Sequence, residues 1–79
     1  MQIFIKLLAN YRNYLPESTK GNQISMDVPE DIRIEKVLDF FPIPPVPESV
    51  VLINGRTMVP GESLKEGDVI CAFSAMAGG

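Results

Sequence analysis

The spacing of apolar residues changes twice along the chain, and this change limits the folds that the chain can adopt. Near the N-terminus, Ile3, Ile5 and Leu7 alternate with other residues, the period of a β-strand. Further along, apolar residues recur at i, i+3, i+4 and i+7, the period of one helix face, and alternation then returns. At 79 residues there is room for one small domain, so strands and helix must share one core. The helical set is Ile34, Val37, Leu38 and Phe41.

These patterns predict the element order ββαβββ. The second strand covers residues 23–28, after a polar loop at 10–22 that can include one helical turn, and the helix runs from a possible N-cap at Asp31 to a stop at Pro42. The continuous apolar run at 50–53 is typical of a central strand buried on both faces. Asn54-Gly55 predicts a type I′ turn into a return strand at 56–59. The last strand covers 69–74, and we expect it to pair in parallel with the first strand at the centre of the sheet.

Composition excludes several kinds of site. The chain has one cysteine and no histidine, which rules out an internal disulfide, a zinc site built on Cys and His clusters, and a catalytic Ser-His or Cys-His pair. The net charge is −3 and no basic stripe is present, so we expect no nucleic-acid partner. No apolar run has the length of a membrane span and the N-terminus lacks signal-peptide features, so we expect no membrane association and a cytoplasmic location. No metal site or bound cofactor is predicted.

Three further features have ordinary structural interpretations. The carboxylates of Glu62, Glu66 and Asp68 could do acid–base work, but they flank Gly and Ser in turns and are better interpreted as solvated turn residues. Cys71 lies within an apolar strand, where a buried thiol behaves as a small hydrophobe rather than a nucleophile. The segment 41–49 contains PxxP spacing, yet a rigid connector is a better interpretation than an SH3 ligand.

The C-terminus is the unusual part of the sequence. Residues 75–79 follow the last strand and end in Gly78-Gly79, with Met76 as their only large side chain. Five extended residues can reach about 17 Å beyond the fold. Glycine allows a foreign backbone to approach closely, so this end suits insertion into a narrow channel of another protein. The alternative is a frayed terminus.

Four segments together resemble the MoaD/ThiS family of ubiquitin-like sulfur carriers. They are KLLANYR at 6–12, VVLINGR at 50–56, LKEGDVI at 64–70 and the terminal AGG, and they span nearly the whole chain. Arg12 and the chain length are more similar to the MoaD branch than to the ThiS branch. The resemblance implies an α+β fold of the β-grasp (ubiquitin-like) type, with a mixed ββαβββ sheet covered by one helix. It divides the chain into a β-grasp domain at 1–74 and a flexible C-terminal tail at 75–79.

The resemblance also implies a function. A MoeB/ThiF-like adenylating enzyme is expected to use ATP to form an acyl-adenylate on the C-terminal carboxylate, and a sulfur donor then displaces AMP to leave a thiocarboxylate. In MoaD relatives the tail enters the MoaE-like large subunit of molybdopterin synthase, so the chain would be that enzyme's sulfur-carrying small subunit and not catalytic alone. The alternatives are a ThiS-like carrier serving thiazole synthase in thiamin synthesis, a ubiquitin-like modifier, and a plain β-grasp interaction domain.

Carried over to this sequence, the resemblance makes Gly79 the sulfur-bearing residue and Gly78 its slim neighbour. An apolar docking patch is expected at Leu8, Met58 and Phe73, projecting from one sheet face beside the tail. Met76 and Ala77 are expected to join this partner interface. The sequence departs from the family pattern in three places: Ser74-Ala75-Met76, where prolines are frequent; Arg33, where a Ser or Thr often caps the helix; and the proline-rich connector.

Overall fold

The helices and strands of the structure follow the predicted order. The structure is a computed structural model, and it describes residues 1–76. No helix in this part of the chain is long and apolar enough to cross a membrane. The elements are β1 (Gln2–Leu7), a 3₁₀ helix (Ala9–Tyr14), β2 (Gln23–Asp27), α1 (Ile34–Leu38), β3 (Ser49–Ile53), β4 (Arg56–Thr57) and β5 (Val69–Ser74).

The five strands form one mixed sheet in the order β2-β1-β5-β3-β4. The central pair, β1 and β5, is parallel, with Phe4 opposite Val69 and Leu7 opposite Ala72. The outer pairings β1–β2 and β3–β5 are antiparallel. The predicted parallel pairing of the first and last strands is therefore confirmed.

The hydrophobic core lies on one face of the sheet, which we call the inner face. In β3, Val51 and Ile53 are buried on this face, whereas Val50 and Leu52 are half-buried on the other. The prediction that this strand is buried on both faces is wrong, because both helices of residues 1–76 direct their buried side chains into the inner-face core. The core residues are Ile3, Ile5, Leu7, Tyr11, Leu15, Val28, Ile32, Ile34, Val37, Phe41, Val51, Ile53, Leu64, Ile70 and Ala72.

The turn at Asn54-Gly55 has the predicted geometry. The backbone φ angles are 52° at Asn54 and 86° at Gly55, and a type I′ turn needs positive φ at both positions. The return strand is shorter than predicted, since β4 ends at Thr57. This early end leaves the first half of β3 without a neighbouring strand on that side.

The helix begins later and ends earlier than predicted. Arg33, not Asp31, is the residue before the first turn of α1, and Asp31 has a φ of 61°. A long-range contact explains the shift: Arg33 forms a β-bridge with Ser63, and the Ile34 N–H donates to the Glu62 carbonyl at 2.9 Å. Extended pairing at Arg33 prevents helical geometry before Ile34.

The carboxylates of the turns before β5 accept hydrogen bonds from backbone and side-chain donors. Glu66 accepts the Gln2 N–H, and Asp68 accepts the Lys65 N–H at 2.8 Å and an Asn54 amide hydrogen at 2.9 Å. Glu62 pairs with the Arg56 guanidinium and accepts the Val59 N–H at 3.0 Å. These contacts agree with a role for the acids in turn structure.

The pairing of Glu62 predicts a pH-dependent stability. The Arg56 hydrogen bond, followed by the Val59 N–H, lowers the pKa of Glu62 from 4.5 to about 2. A lowered carboxyl pKa stabilises the fold above the unfolded-state value, and this stabilisation disappears as pH falls toward the folded-state pKa. Thermal midpoints of the wild type and Glu62→Gln should therefore differ at pH 7 and converge between pH 4.5 and about 2. Arg56→Gln should show the same convergence, and a gap that stays constant across this range would contradict the assignment.

Candidate functional site at the C-terminal edge of the sheet

The predicted reactive residues Gly78 and Gly79, and the predicted interface residue Ala77, lie outside the described residues. Met76 is the last residue that the structure describes, and its side chain is exposed. The structure therefore describes the base from which this terminal segment leaves the sheet. The candidate site can be built from that base.

Strand directions bring several parts of the chain to one edge of the sheet. Because β1 and β5 are parallel, both end at this edge, and antiparallel β3 begins there. The Leu8 N–H donates to the Ala72 carbonyl at 3.1 Å, and the Ala75 N–H donates to the Glu48 carbonyl at 2.9 Å. We call this edge, formed by Leu8, Glu48, Ser49 and Ser74, the exit edge.

A buried chain of hydrogen bonds stabilises the exit edge. The Tyr11 hydroxyl lies 2.7 Å from the Ser49 Oγ, which donates to the Pro44 carbonyl at 2.6 Å. Both side chains are buried, at 5% and 2% exposure, so each hydroxyl needs these partners. These two hydrogen bonds join the 3₁₀ helix, β3 and the proline-rich connector. The connector is thereby held against the base of the C-terminal segment.

The face of the sheet opposite the core is mostly apolar, and no helix of residues 1–76 covers it. Register places Phe4 beside Val69 and Val50 beside Phe73 on this outer face, with Leu52 beside Cys71. None of these side chains belongs to the core, and each is half-buried. A connected apolar surface of this kind is a candidate interaction site. The outer face comprises Phe4, Lys6, Leu8, Val50, Leu52, Thr57, Val69, Cys71 and Phe73.

The structure separates the three residues of the expected docking patch. Phe73 lies on the outer face, and Leu8 joins it because its extended backbone (φ −106°, ψ 158°) continues the alternation of β1. Met58 instead packs against the core. Thr57 pairs with Leu52 and takes the outer position, so the next residue faces inward. The expectation that all three side chains project from one face is wrong for Met58.

Cys71 occupies a half-buried position on the outer face. It lies opposite Lys6 in the β1–β5 register. Burial raises the pKa of the Cys71 thiol, and the nearby Lys6 charge opposes this effect only in part. A thiol with a raised pKa has little thiolate at neutral pH, which agrees with the interpretation as a small hydrophobe. In the part of the chain that the structure describes, no group of three His, Cys, Asp or Glu side chains could hold a metal ion.

Sequence reasoning missed the two residues whose hydrogen bond stabilises the exit edge, Tyr11 and Ser49. The one available signal was the position of Ser49 directly before the apolar run of β3. A serine at that position can be exposed or buried. Ser49 is buried because its hydroxyl pairs with that of Tyr11, 38 residues earlier in the sequence.

Comparisons with known proteins support the fold. No protein-family model matches the chain, and no curated protein matches it. Among solved structures, the chain is similar to the crystal structure of SAMP1 from Haloferax volcanii, with a TM-score of 0.73 and 19% sequence identity over 100% of both chains. The similarity covers the sheet, the helix and their connections. The chain therefore has the β-grasp, ubiquitin-like fold.

Proposed function

We propose that this chain is a ubiquitin-like sulfur carrier whose C-terminal carboxylate is converted to a thiocarboxylate. The observation that carries the proposal is a Gly-Gly pair that follows β5, the middle strand of the β-grasp sheet, after three intervening residues. The C-terminal segment leaves the sheet beside an apolar outer face. A partner enzyme can therefore bind that face and receive the segment at the same time.

The proposed chemistry has two steps. The Gly79 carboxylate attacks the α-phosphate of ATP in an adenylating enzyme of the MoeB/ThiF type, which forms the acyl-adenylate and releases pyrophosphate. A hydrosulfide donor then displaces AMP and leaves the thiocarboxylate directly. With a persulfide donor, displacement forms an acyl disulfide, which a thiol reductant cleaves to the thiocarboxylate. Activation is needed because a free carboxylate is a poor electrophile.

The finer proposal is a role in molybdopterin synthesis. It rests on the resemblance at residues 6–12, where Arg12 favours the MoaD branch. The acceptor would then be a MoaE-like large subunit, and this chain would be the small subunit of that synthase. A thiazole synthase acceptor is the alternative, and reconstitution with each acceptor separates the two.

Intact mass spectrometry tests the carrier function. The wild-type chain, incubated with the activating enzyme of its source organism, ATP, a persulfide donor and a thiol reductant, should gain the mass of one oxygen-to-sulfur exchange. Omission of ATP should abolish the gain, because the carboxylate then stays unactivated. An unchanged mass in the complete mixture would contradict the carrier proposal and favour a β-grasp interaction domain.

A further inference from the structure

A groove opens beside the exit edge, where β3 has no strand on one side. The groove has a volume of about 350 Å³. It exists because β4 pairs only with Leu52 and Ile53, so the first half of β3 is an open sheet edge. The proline-rich connector forms one wall and the chain after β4 forms the other. The lining residues are Val46, Pro47, Ser49, Val50, Val51, Thr57, Met58 and Pro60.

The lining is uncharged and mostly apolar. No Lys, Arg, Asp or Glu lines the groove, and Val46 is a large apolar side chain with 51% of its surface exposed. The chain has no Lys or Arg between residues 37 and 55, so the surrounding connector offers no basic group to an acidic partner. The groove therefore suits an uncharged apolar occupant.

The backbone of the open edge suits an extended occupant. Backbone groups of Ser49 and Val51 face away from β5 and toward the groove. The Met58 N–H already occupies the Val51 carbonyl at 3.0 Å, and the Ser49 N–H donates to the Pro45 carbonyl at 3.3 Å. The Ser49 carbonyl and the Val51 N–H, on either side of Val50, are therefore the groups with which an occupant would pair. Extended segments add to such sheet edges through main-chain hydrogen bonds, while side-chain pockets supply specificity. The prolines at 47 and 60 flank the open edge and limit its length.

The position of the groove indicates its occupant. Glu48, whose carbonyl holds the Ala75 N–H at 2.9 Å, follows the groove residues Val46 and Pro47 directly. An enzyme that binds at the exit edge while it takes the C-terminal carboxylate also lies close to the groove. We propose that the groove binds an extended, uncharged apolar segment of the adenylating enzyme. This inference rests on the proposed function.

A matched pair of substitutions tests the groove. Val46→Asp puts a charge into it, whereas Val59→Asp changes a valine that is similarly exposed, at 59%, but does not line it. With the source organism's activating enzyme, pyrophosphate release should show a KM for the carrier about tenfold higher for Val46→Asp, because a charged side chain at a buried contact is costly. The value of kcat should change less than twofold. Val59→Asp should match the wild type in both values.

A second groove variant guards against a local folding defect. Thr57→Arg places a bulky cation at an exposed lining position and should raise the KM as Val46→Asp does. Thermal melts of each variant identify any that fail to fold. If the wild type is active and both folded groove variants match Val59→Asp, the groove is not a docking site although the carrier function stands. If the wild type releases no pyrophosphate, the proposed function fails and the assigned occupant fails with it.

Discussion

A chain that lacks Gly78 and Gly79 is expected to gain no sulfur under conditions in which the wild type exchanges one oxygen for sulfur. The deletion leaves a carboxylate on Ala77, where the methyl side chain obstructs the close backbone approach that glycine permits. Thermal unfolding should be nearly unchanged, because the core residues of the described chain all lie between Ile3 and Ala72. Loss of sulfur gain without loss of stability would place the reactive atom at the C-terminus.

The location of the gained sulfur is checked by cleavage with trypsin. The last basic residue is Lys65, so the mass change should appear in the peptide 66–79. That peptide also contains Cys71, but a persulfide on this thiol would add a sulfur atom instead of exchanging an oxygen for one. Cys71→Ser is therefore the matched control and should show the full exchange. Exchange that persists in the truncated chain, or that disappears in Cys71→Ser, would contradict the assignment to Gly79.

Replacement of Ile53 by alanine is expected to lower the free energy of unfolding by about 3 kcal/mol. Ile53 is fully buried at 0% exposure and lies opposite Ile70, so its truncation leaves a cavity in the inner-face core. Small domains have a stability of only about 0.05–0.15 kcal/mol per residue, so a loss of this size removes a large part of the total. Urea denaturation monitored by circular dichroism measures the change.

The neighbouring residue supplies the control for this substitution. Leu52 lies on the outer face and is only half-buried, so Leu52→Ala should cost about 1 kcal/mol or less. The two substitutions differ by one position in the same strand and remove a side chain of the same size. Equal losses from the two variants would mean that both faces of the sheet are covered.

Local patterns were sufficient to predict most of the sheet. The alternation of Ile3, Ile5 and Leu7 identified β1 because a strand with one buried face imposes that period. Asn54-Gly55 identified the hairpin because few residue pairs tolerate positive φ at both turn positions. These signals reside in adjacent residues, and distant contacts do not override them.

Features that depend on distant contacts could not be predicted. A continuous apolar run such as Val50–Ile53 has no alternation, so its sequence does not show whether one or both faces of the strand are buried. That depends on whether helices cover one face of the sheet or both. The first residue of α1 depends on the bridge between Arg33 and Ser63. The inward direction of Met58 depends on the strand pairing of Thr57, the residue before it. Of the candidate site, its apolar face could be predicted in part, whereas the Tyr11–Ser49 contact that stabilises the exit edge could not.

The parallel pairing of β1 with β5 has a consequence for how the protein is made. The two central strands lie near opposite ends of the chain, with Phe4 opposite Val69, so a ribosome must synthesise nearly the whole chain before the sheet can close. Until then, a growing chain can form only the β1–β2 and β3–β4 hairpins and local turns, and isolated hairpins are marginal in water. The sheet therefore closes only after β5, the strand that leads into the C-terminal segment, has been synthesised. Under the proposed function, an activating enzyme that binds the closed sheet would act on folded chains and leave incompletely synthesised ones unmodified.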